Sequence, residues 1–311
     1  MANTGDHAYY MVTAYCDVMG WDNTDTVTAR PAALIGVKRA YRRFLAGQHP
    51  DIPGATHDWS FLRPMGALQI PVYITGTVLT GEYATGSTTI TATADKFTTG
   101  THPTGDVGVG ILVDGVGLMR ITSYSDPPGD GTTVIALGGV ANFSTKTFWT
   151  GMQIDMPADF GGLITPFYYP YDTTYSVLPL KQISVEEMLR WFQTAPAATT
   201  PDKYALVPMS FTSTVGQRYS VMFWPLSEAD RVVHFRYRSV PADPTDVNTC
   251  YLAGGVEHSQ TIEAAVRADA EFESRKKQGT YELLYQTQMM ASIERDGGLF
   301  ETTGPSRITE G

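Results

Sequence analysis

The sequence predicts an α+β protein: a helical bundle with antiparallel β elements and an inserted all-β domain, either a small Ig-like sandwich or a barrel. A block rich in Thr and Gly, residues 70–150, has the alternation and turn residues of short strands. Helical, aromatic-rich sequence lies on both sides of it. The predicted organisation is therefore a discontinuous core, residues 1–69 and 151–298, the inserted β domain, residues 70–150, and an extended C-terminal arm, residues 299–311.

Composition limits the function classes. The chain has 311 residues, 42% of them hydrophobic, which is enough to fill a substantial core. A net charge of −10 gives no reason to expect sequence-specific nucleic-acid binding, although an acidic chain can line a passage through which DNA slides. Cys16 and Cys250 are far apart and are expected to be reduced thiols. Without a signal-like start or a long apolar run, we expect a soluble protein made in a reducing compartment.

Helices are predicted from apolar periodicity and from capping residues. The strongest is Ala29–Ala46, where apolar residues recur at spacings of three and four, Pro31 lies near the start and Gly47 follows the end. Arg and Lys near its C-terminal turn complement the helix dipole. Ser184 and Glu187 form a capping box that opens another helix. The remaining predicted helices span residues 6–19 and 256–277, and a further one follows the break at Gly279-Thr280 and runs to about Arg295.

Strands are predicted from alternation and turn residues. Asp114-Gly115 separates two alternating runs, and this pair is a strong hairpin signal. Thr88–Thr93 and Thr132–Leu137 are predicted strands of the same block. Outside the block, strands are predicted at Leu163–Tyr169, Gln217–Phe223 and Val232–Tyr237.

No chemical motif reaches the specificity of a catalytic or metal site. The glycines at 105, 108, 110, 115 and 117 alternate with Val and Ile, whereas a phosphate-binding loop leads from a strand into a helix. The histidines lack metal-ligand spacing, and no nucleophile elbow occurs. Acidic loops around Asp95, Asp106, Asp126 and Asp130 lack the ordered ligands of a calcium site. We therefore expect no catalytic residue, no metal and no cofactor.

One aromatic cluster is a candidate contact surface. It consists of Tyr168, Tyr169, Tyr171 and Tyr175. Tyr is enriched at protein interfaces, so a subunit interface is the first interpretation. A place in the core comes second and a platform for stacking sugars third.

The C-terminal arm is a candidate partner contact. Leu299, Phe300 and Ile308 are apolar residues on a segment that cannot fold alone, and Arg307 adds a charge beside them. Such residues are unfavourable in solvent unless they dock on a partner. The alternative is a disordered terminus without a role.

The order of several short motifs resembles that of the head-to-tail adaptor, or neck, proteins of tailed bacteriophages. The motifs are Trp59–Pro64, Met156–Leu163, Lys203–Pro208, Val221–Pro225, Phe235–Arg238 with Pro241, and Gly254–His258, which together extend over most of the chain. Each motif is short, so the resemblance rests on their order.

The resemblance implies a non-enzymatic virion structural protein, made in the host cytoplasm and located at the neck between head and tail. Such a subunit forms a homo-oligomeric ring, a dodecamer by analogy, beneath the portal protein. The ring links the portal to a tail or nozzle protein around the channel for double-stranded DNA, with no membrane partner. On this interpretation we expect the C-terminal arm to dock on the portal or on a neighbouring subunit.

Two other functions remain open. A virion surface protein could bind a glycan or receptor through its β module and the tyrosine cluster. A hydrolase would need an acid and base pair that the fold brings together.

Overall fold

The chain is a mixed α+β protein in the computed structural model. The structure describes residues 7–73, 75–84, 87–93, 110–113, 117–125, 132–138, 143–150, 153–170, 179–192, 198–209, 217–247, 249–277 and 279–298. They divide into two compact units. The helical unit comprises the described residues of Met1–Pro64 and Ser239–Gly311, and the strand unit those of Met65–Arg238.

The helical unit contains four of the five helices found in the described part of the chain. They are α1 (Ala8–Met19), α2 (Ala29–Leu45), α4 (Gly255–Arg275) and α5 (Thr280–Gly298), whereas α3 (Val185–Phe192) belongs to the strand unit. Each predicted helix is confirmed, and α5 runs three residues beyond its predicted end at Arg295. Capping explains two of the boundaries. Asp25 accepts backbone hydrogen bonds from Val27 and Thr28 before α2, and Ser184 Oγ accepts one from Glu187 before α3.

Helix α4 is the centre of the helical unit, since it packs against α1, α2 and α5. Four alanines, Ala264, Ala265, Ala268 and Ala270, are buried along it. Small side chains allow close approach of neighbouring helices, and larger residues such as Tyr41, Phe44 and Met289 fill the space between them. The core residues of all four helices form one continuous cluster.

Six strands of the strand unit form a closed barrel in the order β2-β3-β6-β5-β4-β7. They are β2 (Thr75–Ala84), β3 (Ser87–Thr93), β4 (Gly110–Val113), β5 (Gly117–Ser125), β6 (Thr132–Gly138) and β7 (Phe143–Thr150). The strands predicted at Thr88–Thr93 and Thr132–Leu137 are confirmed and pair with each other. The predicted hairpin strands also pair, with Val113 opposite Gly117, while residues 114–116 between them lie outside the described residues.

The other strands form three small sheets, in the orders β1-β15-β9, β10-β12-β13-β8 and β11-β14. Their bounds are β1 (Met65–Ile70), β8 (Gln153–Asp155), β9 (Phe160–Leu163), β10 (Lys181–Gln182), β11 (Ala198–Thr199), β12 (Lys203–Pro208), β13 (Tyr219–Trp224), β14 (Leu226–Ser227) and β15 (Arg231–Ser239). Strand β13 is covered on both faces: Val221 and Phe223 enter one hydrophobic cluster, and Met222 enters another. Strand β15 instead alternates buried and accessible residues, so one face meets solvent.

The strand predicted at Leu163–Tyr169 is wrong for most of its length. Strand β9 ends at Leu163, and only Tyr168 forms an isolated bridge, opposite His234. Pro166 interrupts the segment because it has no backbone N–H to donate to a ladder.

Candidate interaction surfaces

The basic residues of α2 are engaged within the helical unit. Arg39 Nη2 lies 2.6 Å from Asp269 Oδ2 of α4, and Arg43 Nη2 lies 2.5 Å from Glu282 Oε1 of α5. Hydrogen bonding from Arg43 lowers the pKa of Glu282, which keeps that largely buried carboxylate charged. Arg42 likewise pairs with a carboxylate at 2.6 Å. These arginines therefore join α2 to other segments, besides complementing its dipole.

Asp296, in the last turn of α5, binds the segment that precedes the strand unit in sequence. Its Oδ2 lies 2.6 Å from His57 Nε2 and accepts the backbone N–H of Ser60 at 3.0 Å, and its Oδ1 accepts the Ser60 hydroxyl. Burial by itself raises the pKa of Asp296, but the hydrogen bonds from Ser60 and His57 outweigh burial and lower it. A catalytic triad needs the serine to donate to the histidine. Here both donate to the aspartate, so the arrangement is a structural clamp.

His258, near the start of α4, is packed among aromatic rings. Its ring centroid lies 5.1 Å from that of Trp59 and 5.4 Å from that of Phe61. Burial is the main cause that lowers the pKa of His258, so the neutral imidazole is favoured. No group of three or more His, Cys, Asp or Glu within the described ranges could hold a metal ion.

The predicted tyrosine cluster divides into side chains with different environments. Tyr168 is exposed, and its backbone exchanges hydrogen bonds with that of His234 at 2.9 and 2.8 Å. Tyr169 packs against the core of the strand unit, and its hydroxyl donates to the Pro201 carbonyl at 2.7 Å. The proposed contact residues Tyr171, Leu299, Phe300, Arg307 and Ile308 lie outside the described residues, as does Tyr175.

The solvent-facing side of the β1–β15 pair is a mixed basic and apolar surface. Opposed residues of antiparallel strands share a face, and the register places Met65 opposite Arg236 and Ala67 opposite His234. The bridge adds Tyr168 beside His234, and Arg238 follows Arg236 on the same side of β15. We call these six residues, Met65, Ala67, Tyr168, His234, Arg236 and Arg238, the basic face.

Sequence reasoning did not identify the basic face as a site. The signal was present in Phe235-Arg236-Tyr237-Arg238, where aromatic residues alternate with arginines. In a strand, this alternation predicts one buried aromatic side and one basic side. The side chains of Phe235 and Tyr237 are indeed buried, whereas those of Arg236 and Arg238 are exposed.

The corner between α1 and α2 forms an open depression of about 460 Å³. Trp21, Asp22, Asp25 and Ala32 are among the residues that line it. The hydroxyl and amide of Thr28 are the main donors that lower the pKa of Asp25 to about 2. Asp25 is therefore charged at neutral pH. We call this depression the acidic corner.

The helical unit also exposes apolar side chains. The exposed fraction is 66% for Leu283 on α5, 67% for Ile35 on α2 and 83% for Val27 beside the acidic corner. Single exposed apolar residues are ordinary, whereas contiguous apolar patches mark contact surfaces.

None of the helices in the described ranges has both the length and the apolar character of a membrane span. Comparison of the sequence with models of known protein families found no match, and a search of curated proteins found no similar sequence.

Proposed function

We propose that the chain is a virion structural protein, a head-to-tail adaptor that forms a ring beneath the portal and links it to the tail or nozzle around the DNA channel. One observation carries the proposal: the polar clusters of the helical unit hold its own segments together, while large apolar side chains face solvent. Arg39 and Arg43 join helices, and Asp296 clamps Ser60. Leu283 and Ile35 are exposed. This distribution supports a protein that acts through its surfaces.

The order of the sequence motifs is the reason for proposing this particular assembly. By resemblance to phage adaptors, the ring is a homo-oligomer of about twelve subunits in a virion neck, assembled in the host cytoplasm. The net charge of −10 agrees with a channel through which DNA passes without adhering. No catalytic step is part of this role.

The proposed role predicts that the C-terminal arm is needed for attachment. Deletion of residues 299–311 is expected to leave a folded subunit, because the arm follows the last described helix, α5, which ends at Gly298. The truncated chain should bind the portal protein of the same virus at least about tenfold more weakly, since it lacks Leu299, Phe300 and Ile308 as apolar contacts. Native mass spectrometry of each chain mixed with portal particles measures the difference.

A matched control deletes only residues 302–306, Thr-Thr-Gly-Pro-Ser, which keeps Leu299, Phe300, Arg307 and Ile308 and removes no charged side chain. This variant should retain most of the portal affinity. Equal attachment by full-length and truncated chains would rule out the arm as a portal contact. A full-length chain that stays monomeric both with and without the portal would reject the adaptor function itself.

We also infer that the barrel is an inserted domain that folds by itself. Two features support this: strands β2–β7 close on one another, and strands β1 and β8 on either side belong to other sheets. A fragment of residues 71–152 is therefore expected to unfold cooperatively, with a β-type circular dichroism spectrum. An unfolded fragment would mean that the barrel depends on the rest of the chain.

A further inference from the structure

Arg236 and Arg238 differ from the arginines of α2. In the described parts of the chain, no carboxylate lies within ion-pair distance of either guanidinium, whereas Arg30, Arg39, Arg42 and Arg43 each have at least one. Both arginines are exposed, two residues apart on the same side of β15. In a chain with a net charge of −10, such a surface strongly favours a negatively charged partner.

The apolar part of the basic face indicates which kind of partner. Met65 is 73% exposed, Tyr168 is 37% exposed, and Ala67 follows Met65 on the same side of β1. Met, Tyr and Arg are the residue types enriched at protein interfaces. A nucleic-acid surface would need more cations and fewer apolar side chains. The composition therefore favours an acidic protein surface.

The acidic corner has the complementary properties. It is concave, it carries the Asp22 and Asp25 carboxylates, and Trp21 forms part of its wall. An arginine side chain suits such a place, because its guanidinium can pair with a carboxylate and stack on an indole. Val27, which precedes the lining residue Thr28 in sequence, is exposed and can add an apolar contact.

We propose that the basic face of one copy of this chain binds the acidic corner of the next copy. The inference rests on the proposed ring, because a contact between two different surfaces is the kind that builds closed rings. It also explains how a strongly acidic chain associates with itself: repulsion between copies is offset where the basic face meets the carboxylates. In this contact Arg236 and Arg238 of one copy bind beside Trp21 and Asp22 of the next copy.

The test is a charge exchange in the full-length chain. Two variants each reverse one surface, Arg236→Glu with Arg238→Glu, and Asp22→Lys. Asp25 stays unchanged because its carboxylate accepts backbone hydrogen bonds from Val27 and Thr28 in the turn before α2. Each variant is expected to weaken self-association at least about tenfold, measured by sedimentation velocity and native mass with and without portal particles, because like charges then face each other. A chain that carries all three substitutions should regain part of the wild-type association, because the reversed charges attract each other while Asp25 keeps its negative charge.

Two controls match these charge changes elsewhere on the surface. Arg190→Glu alters an exposed arginine of α3, and Asp51→Lys alters an exposed loop aspartate. Both should associate like wild type, and melting curves of every variant confirm that the fold is kept.

Each remaining outcome decides against the proposal. Normal association of the single-surface variants would show that these surfaces are not in contact. Weakened association that the combined variant does not recover would show that each surface has another partner. In both cases the wild-type ring persists, so the adaptor function survives. A wild-type chain that never associates would overturn the ring and this contact together.

Discussion

Replacement of Trp59 by alanine is expected to lower the free energy of unfolding of the helical unit by about 3–5 kcal/mol. Trp59 is fully buried, and its ring centroid lies 4.7 Å from those of Phe44 and His57. Its indole N–H donates to the Phe44 carbonyl at 3.1 Å. Alanine would leave a cavity among these rings and remove one of two hydrogen bonds to the Phe44 carbonyl, which keeps the one from the Gly47 N–H at 3.0 Å.

Urea unfolding followed by circular dichroism at 222 nm measures the effect, because the signal comes mainly from the helices. The matched control is Trp21→Ala, since Trp21 is 36% exposed at the acidic corner. This substitution should lower the free energy of unfolding by about 1 kcal/mol or less. Similar losses for the two variants would contradict the central position that the structure assigns to Trp59.

Replacement of Gly47 by alanine is expected to destabilise the helical unit by about 2–5 kcal/mol, the sum of two costs. Gly47 has a φ of +62°, a conformation that L-residues with a side chain rarely adopt. A Cβ at this position would also lie 2.2 Å from the carbonyl oxygen of His57. Backbone cannot move aside as a side-chain tip can, and His57 N–H already donates to the Gly47 carbonyl at 2.7 Å. The clash would therefore displace the segment that Asp296 clamps.

Gly54→Ala separates the two costs, because Gly54 has a φ of +82° but an added methyl group would meet no atom within 4 Å. Gly54→Ala should lower the free energy of unfolding by only about 1–2 kcal/mol, which is the conformational cost alone. The urea midpoints of the two variants give the difference in their free energies of unfolding, provided that the dependence of that free energy on urea concentration has the same slope in both. Equal losses would show that close approach to His57 does not constrain position 47.

Much of the secondary structure could be predicted because its causes are local. The apolar spacing of Ala29–Ala46 predicted α2, and the helical pattern of residues 256–277 predicted α4 to within two residues at each end. The wrong prediction at Leu163–Tyr169 has a local cause as well: Pro166 cannot donate to a strand ladder, although its neighbours are apolar.

The candidate surfaces were less accessible to sequence reasoning. Tyr168 and Tyr169 are adjacent, and the sequence does not distinguish them. In the structure Tyr168 is exposed, whereas the Tyr169 hydroxyl donates to the Pro201 carbonyl within the strand unit. The difference in exposure between the two side chains depends on which segments of the chain pack beside each of them. The basic face similarly requires the pairing of β1 with β15, which are separated by most of the chain.

The amino-acid order alone determined where helices begin and end and which strands alternate, because capping, periodicity and turn chemistry act over a few residues. Only the tertiary structure decided which charges are neutralised. Arg42 pairs with Asp243 across 201 residues of sequence, and His57 pairs with Asp296 across 239. Arg236 and Arg238 have no such partner in the described ranges. The path of the chain brings a carboxylate to one arginine and leaves another facing solvent, and the local sequence pattern does not contain this information.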